Sequence, residues 1–393
     1  MKVEAWDWKR FRGGISPPLR SLILTGLLTG SCDAAEKTKR NFFDEQDGYL
    51  DLSEFLDHPM GFLPLVIPIT EPAVGYGAAF APVFISPGPK PSPGKAERPQ
   101  IWALGGMMTE NGSEGVLGMY KATWGDGRLE TLIAGADASV NLDFHGIGDN
   151  LHFGRDPMQY NLDAVGGVAQ GRYRVGESDW WLGARYVRAQ VNASFVRPSG
   201  FPDQIPERSF TTDLGGVSLL VKHETFDNVF TPTRGHTWEL DLNFYDPAFG
   251  ADGSWQIWDL AAIHYWPLGK SVTLGLKTDL HAASGDTPFF MLPSVQLRGV
   301  PAMSIQGDVI ASAELEARWQ FHPRFSILGF VGAGAAWRDT KRFEDIATTV
   351  SGGVGFRYLI SRRYGLHMGI DVAKAENEDP ALYVQFGSAW PRL

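Results

Sequence analysis

The residues of this chain that could do chemistry are few. His281, Ser284 and Asp286 stand close together at what reads as a strand end, and they offer the base, hydroxyl and acid of a hydrolase. Such triads are defined by geometry rather than by nearness in sequence. No Gly-x-Ser-x-Gly elbow and no His-Glu-x-x-His accompanies these three, so a non-enzyme is expected. Asp47-Gly48-Tyr49-Leu50-Asp51-Leu52-Ser53-Glu54 repeats the second half of a calcium-binding loop. Its first and third ligand positions would fall on Phe43 and Glu45, which leaves the first ligand missing. The plainer reading is a polar turn before a short amphipathic stretch, Leu52 to Leu56. The histidines show no metal-ligand spacing, and the single cysteine, Cys32, allows neither a Cys-based zinc site nor an intrachain disulfide. No cofactor is expected. Arg298, followed by Gly299, reads in isolation as a solvated loop arginine beside a turn glycine.

The elements that must position these residues read as strands. From Val309 to Phe321, Ala311, Ala313, Leu315, Ala317, Trp319 and Phe321 alternate with Ser312, Glu314, Glu316, Arg318 and Gln320. In a strand the two sets lie on opposite faces. Soluble strands are commonly about 5–6 residues long, whereas a tilted strand crossing a bilayer needs roughly 9–11. The amphipathic runs here have the longer measure. Such runs occupy 73–85, 100–108, 115–124, 128–142, 158–174, 179–195, 210–224, 235–246, 254–267, 270–283, 308–322, 325–338, 347–361, 364–374 and 380–390. An even number is needed if both termini share a side, and Phe62–Thr70, broken by Pro64 and Pro68, supplies the remaining strand. The expectation is an all-β protein, a closed antiparallel transmembrane barrel of about sixteen strands. Trp238, Phe244, Trp319, Phe321, Trp337 and Trp390 sit near run ends, where an interfacial girdle would place them. Lys277, Asp279, Glu314, Glu316, Arg318, Arg357 and Asp371 fall on the lumenal face. Short connections such as 125–127, 176–178 and 268–270 are expected on the periplasmic side; the longer ones near 144–157, 196–209, 246–253 and 284–307 are expected outside.

Composition agrees. The 393 residues are 44% hydrophobic and only 20% charged, with 46 glycines and 13 tryptophans. The net charge of −10 excludes nucleic acid as a partner, since phosphate binding needs a basic face. No apolar run reaches the length of a membrane-spanning helix. Residues 1–35 carry the order of a signal peptide, with a basic stretch, the apolar run Ser21–Gly30, and small residues at Ser31, Cys32, Ala34 and Ala35. Leu28 to Cys32 loosely matches a lipoprotein box, but Thr29 stands where an apolar residue belongs, so cleavage near Ala34 or Ala35 is the expectation. A short periplasmic segment, 36–61, then precedes the barrel of 62–393; it is too short for a periplasmic domain.

Leu297-Arg298-Gly299-Val300-Pro301, then Gly307-Asp308, then Glu314-Leu315-Glu316-Ala317-Arg318, resembles the loop and strand of the bacterial surface-antigen barrel family. That family includes the BamA and TamA assembly proteins and the barrels of two-partner secretion. Thr70-Glu71-Pro72-Ala73-Val74-Gly75-Tyr76-Gly77 looks like the family's first-strand signature. Phe226-Asp227-Asn228 with Pro232-Thr233-Arg234-Gly235 is similar to its periplasmic turn. Tyr383, Phe386, Gly387 and Trp390 look like a C-terminal assembly signal, which implies barrel-assembly machinery as a partner during biogenesis. The resemblance covers 62–393 and implies a barrel without periplasmic domains of the POTRA type. It also implies that the 284–307 loop folds into the lumen with Arg298 at its tip. The family's partner strand reads Phe-x-Asp-x-Gly, but here Gly332 stands at the aspartate position. Glu314, Glu316 and Asp371 are then the available anchors, because a guanidinium taken from water unpaired is costly.

Three functions follow as alternatives. The resemblance implies lateral opening between the first strand, Ala73–Ile85, and the last, Leu382–Trp390, for protein or lipid substrates, with an unidentified periplasmic partner supplying client capture. A passive or loop-gated pore is the second, and a structural surface antigen with adhesive loops the third. A loop fixed in the lumen disfavours an open pore.

Overall fold

The computed structural model describes residues 42–57, 62–70, 73–89, 98–144, 158–195, 208–339, 344–376 and 378–390. The signal-peptide reading of 1–35, with Cys32, lies outside the described residues. A short helix, α1 (Ser53–Asp57), precedes sixteen strands. The first eight are β1 (Leu63–Ile69), β2 (Gly77–Ser86), β3 (Gln100–Thr109), β4 (Glu114–Trp124), β5 (Leu129–Phe144), β6 (Met158–Arg174), β7 (Trp180–Phe195) and β8 (Arg208–Glu224). The rest are β9 (Gly235–Tyr245), β10 (Trp255–Leu268), β11 (Val272–Gly285), β12 (Val309–His322), β13 (Phe325–Asp339), β14 (Glu344–Ser361), β15 (Leu366–Ala375) and β16 (Ala381–Phe386). Each strand pairs antiparallel with its neighbours in chain order from β1 to β16.

Burial is inverted relative to a soluble sheet, and this decides what surrounds the wall. On β12, Leu315 and Trp319 are 41% and 51% exposed, while Glu314 and Glu316 are 2% and 6% exposed. Charges turned inward and leucines turned outward are stable only when the outside is lipid. No described helix is long and apolar enough to cross a membrane. The chain is an outer-membrane type β-barrel.

Two sequence expectations need correction here. The strand expected over 73–85 begins at Gly77, because Gly75 takes φ +74° and turns the chain first. Ala73 and Val74 fold into the barrel mouth against Leu142 and Tyr160. Turn length also fails as a guide to side at two places. Strand parity puts the 87–99 connection at the end where β1 starts and β16 finishes (the terminal end), although it is long. It puts the tight turn Glu110–Ser113 at the opposite, loop end.

Strands β1 and β16 meet at a seam. Among the described residues they share no backbone ladder. Thr70 bridges them: its hydroxyl donates to the Leu382 carbonyl and accepts from the Leu382 N–H at 3.0 Å. Pro64 and Pro68 deprive β1 of two donors, which confines it to an edge position.

Candidate functional site

The connection between β11 and β12 folds back into the lumen, and Arg298 is at its tip. Its Nε donates to Glu314 Oε1 at 2.9 Å, and its Nη2 donates to Glu314 at 2.6 Å and to Glu316 at 2.9 Å. Nη1 donates to Asp371 Oδ2 at 2.8 Å. Arg357 from β14 closes on the same Asp371, with Nη2 at 2.8 Å. The guanidinium also lies 3.4 Å from the centroid of Phe330 on β13. Arg298, its three carboxylate partners and Arg357 are all under a tenth exposed. Burial alone would lower the Arg298 pKa; Glu316, Glu314 and Asp371 reverse the direction and raise it, so the side chain is held as a cation.

Backbone fit explains the residues around Arg298. Gly299 has φ +91°, and a Cβ there would meet the backbone of Lys374 at 2.8 Å, so only glycine lets the loop pass β15 so closely. The Gly299 N–H donates to the Tyr383 hydroxyl of β16 at 2.9 Å. Leu297 and Val300 are buried with Val295 against Ile310, Ala336 and Ala375. Pro301 opens a turn closed by the Ser304 N–H at 3.2 Å. Gly307 passes Trp337 so closely that a Cβ would lie 2.7 Å from its carbonyl, and the Asp308 carbonyl accepts from Ala283 at 2.6 Å. At Gly332 a Cβ would stand 2.9 Å from Leu297 Cδ2. The missing aspartate thus leaves the space that Leu297 fills, and the anchoring charges come from β12 and β15 instead.

The C-terminal residues differ from expectation. The strand expected over 380–390 ends at Phe386, because Gly387 takes φ +81° and leads the chain inward. The Gly387 N–H still reaches the His367 carbonyl at 2.7 Å, while the Ser388 N–H donates to Phe230 at 2.6 Å. Trp390, expected in the lipid-facing girdle, is 7% exposed inside the barrel. Its ring packs with Ile263 and Tyr265 of β10, and its indole N–H donates to Glu314 Oε1 at 2.6 Å. The buried acceptor and the apolar socket explain why the indole leaves the membrane boundary.

No family model matches the sequence, and no curated protein does. Among solved structures the barrel is similar to CdiB from Escherichia coli, with a TM-score of 0.56 and 8% identity over 85% of this chain and 68% of that one. It is similar to BamA from Haemophilus ducreyi lacking POTRA domains 1–3, with a TM-score of 0.52 and 13% identity over 82% and 68%. CdiB from Acinetobacter baumannii gives a TM-score of 0.53 and 10% identity over 83% of this chain and 58% of that one. The chain has the barrel fold of BamA and CdiB.

Within this BamA-type barrel, the hydrolase-like residues do not converge. His281 points into the lumen and pairs with Asp259, Ser284 lies on the other face of β11, and the Asp286 N–H is used on the Ser254 carbonyl at 3.3 Å. The half calcium loop meets a different cation. Arg324, between β12 and β13, is fully buried and donates to Asp44, Asp47 and Asp51, each at 2.6 Å. The BamA-type lumen also holds a charge network that sequence reasoning missed. Arg98, from the proline-rich 87–99 connection, donates to Glu130 at 3.1 Å and pairs with Glu224, its guanidinium 4.7 Å from the Trp181 ring. Lys222 joins Glu224 at 2.6 Å and Glu239 at 3.6 Å. Alternation along β5, β8 and β9 marks these acids as lumenal, but nothing periodic marks Arg98.

Proposed function

We propose that this protein is a loop-locked outer-membrane barrel that opens laterally between β1 and β16 to insert or translocate protein or lipid substrates. The observation that carries this reading is the seam. Fifteen strand pairs are joined by backbone ladders; among the described residues β1 and β16 are joined instead by Thr70 with Leu382 and by apolar packing of Phe386 near Leu63 and Leu65. Among the described residues a ladder of several backbone hydrogen bonds is replaced by one residue's hydroxyl and a few apolar contacts, which makes this boundary the weakest in the wall. The lumen beside it is filled by the Arg298 loop, which argues against a steady open pore. The surface-antigen reading gains no specific support. Membrane lipid is the partner the geometry supports directly; assembly machinery and a periplasmic client-capture protein are proposed from the likeness to BamA and CdiB.

A crosslinked seam tests the proposal. Thr70→Cys and Leu382→Cys, in a Cys32→Ser background, are oxidised in refolded barrels within liposomes. The reduced barrel should accelerate insertion of an unfolded outer-membrane barrel client, and oxidation should abolish the acceleration. No acceleration, or acceleration that survives the disulfide, refutes lateral insertion.

A further inference from the structure

Trp390 touches both of the features on which the proposed opening depends. Glu314 Oε1 accepts from Arg298 Nη2 and from the Trp390 indole, both at 2.6 Å. The same terminal segment supplies Tyr383, whose hydroxyl accepts from Gly299 at 2.9 Å, and Leu382, which meets Thr70 across the seam. Between them, Gly387 and Ser388 hold the chain to His367 and Phe230. The hydroxyls of Ser388 and Tyr265 lie 2.7 Å apart.

The tail also borders two lumenal cavities. A cavity of about 730 Å³ toward the loop end is lined by Arg298, Asp259 and Trp390. A second, of about 310 Å³ toward the terminal end, is lined by Arg98, Lys222, Phe386 and again Trp390. The ring is common wall to both. Its socket is built for it: a Cβ at Gly275 on β11 would stand 2.9 Å from the indole and 2.8 Å from the Tyr265 ring. Three kinds of contact therefore converge on the segment Gly387–Trp390: a hydrogen bond into the loop lock, a ring beside two lumenal spaces, and covalent continuity with the seam strand.

We infer that the tail Gly387–Trp390 is an internal latch that couples the Arg298 lock to the β1–β16 seam. While the indole sits on Glu314, the loop is held, the two cavities stay separate, and β16 is drawn toward the lumen. Withdrawal of the tail removes one donor from Glu314, joins the cavities, and frees the end of β16 to move. The coupling is reciprocal: loss of the lock must loosen the tail by the same free energy as loss of the tail loosens the lock. The inference rests on the loop-locked reading above.

Gly275→Ala tests it without changing any residue of the tail, so the C-terminal sequence read as an assembly signal is kept. The added methyl displaces the ring from its socket. Purified full-length barrels are compared in planar bilayers and by external protease cleavage of the 286–308 loop: wild type, Gly275→Ala, Trp390→Phe and Arg298→Ala. Wild type should be closed and cleaved slowly. Gly275→Ala should open and be cleaved about tenfold faster, the change expected for losing one hydrogen bond to a carboxylate. Trp390→Phe, which keeps a ring and loses the donor, should speed cleavage while retaining more of the closed state; it carries the test if Gly275→Ala does not fold. If Arg298→Ala opens the barrel while Gly275→Ala and Trp390→Phe behave as wild type, the lock stands and the latch is overturned. If the pore opens without faster loop cleavage, the tail is a partition and the coupling is overturned. If no variant opens, the locked barrel falls and the latch with it.

Discussion

Two arginines, Arg298 and Arg324, are each gripped by three carboxylates, and they differ in where those carboxylates come from. The partners of Arg298 are Glu314, Glu316 and Asp371, all on rigid strands and all under a tenth exposed. The partners of Arg324 are Asp44, Asp47 and Asp51, on the irregular segment before β1, with side chains 12%, 19% and 7% exposed. The first cluster fixes a loop to a wall that exists without it. The second fixes the segment before β1 to the turn between β12 and β13. One is a lock on the barrel, and the other is a tether to it.

The tether has a definite path. Leu52 N–H donates to Ile360 at 2.8 Å, and Arg362 adds a bond to Asp47 at 2.6 Å, so the polar grip is on β14 and the turns beside it. Leu56, beyond it, is fully buried among Leu63, Ile85 and Leu366 of β1, β2 and β15. The segment therefore crosses the terminal end of the barrel beneath the seam.

The largest difference between the clusters should appear on removing the cation. Arg298→Ala strips Glu314 and Glu316 of their guanidinium and leaves Asp371 to Arg357 alone, a loss of about 3–5 kcal/mol. Urea unfolding, followed by loss of the compact band on unheated gels, should shift to lower denaturant. Arg324→Gln should leave that midpoint in place and free only residues 42–57, seen as faster amide hydrogen exchange there. Equal destabilisation by both variants would erase the distinction between lock and tether.

A smaller effect sharpens what the lock is. Gly332→Asp restores the carboxylate that the related strand pattern carries, and it should weaken this barrel rather than strengthen it. A side chain at 332 displaces Leu297, whose Cδ2 would lie 2.9 Å from the new Cβ. Overpacking of this kind costs about 1–3 kcal/mol. The external loop should then be cleaved faster. Slower cleavage would show that the position still prefers an acid.

Legibility in the sequence divides along the same line. Strand number, order and lumenal facing came from a period of two, which the bilayer enforces over every strand, so Glu314, Glu316 and Asp371 could be placed inward before any contact was known. The even strand total placed Phe62–Thr70 at the edge, where β1 lies. The partners of Arg324 and Arg98 were not legible, because each sits in an aperiodic connection and meets acids far away in sequence. Asp47 and Asp51 read as part of a polar turn; the guanidinium they meet lies some 270 positions on, beyond any local pattern. Trp390 misled because alternation continues through Gly387 in the sequence, whereas the left-handed glycine ends it in space.

The smallest effect expected is the response of the tether to acid. For Asp47 the Arg324 hydrogen bond leads in holding the carboxyl below its ordinary value, against a smaller penalty from burial. For Asp51 burial pushes upward most strongly, but hydrogen bonds from Ser53 and Arg324 together carry it below the ordinary value. A carboxylate depressed in the folded state contributes its stability above the unfolded pKa, about 4, and loses it as pH falls through the folded value. The tether should therefore be intact at pH 5 and above and loosen progressively below about pH 4. Hydrogen exchange of 42–57, corrected for intrinsic rates, should rise over that window while exchange in β12 and β13 does not. In Arg324→Gln the rise should be absent, since the segment is already released. A wild-type profile flat to pH 2.5, with the segment still protected, would show that Leu56 and the β14 hydrogen bonds hold the tether without the charges.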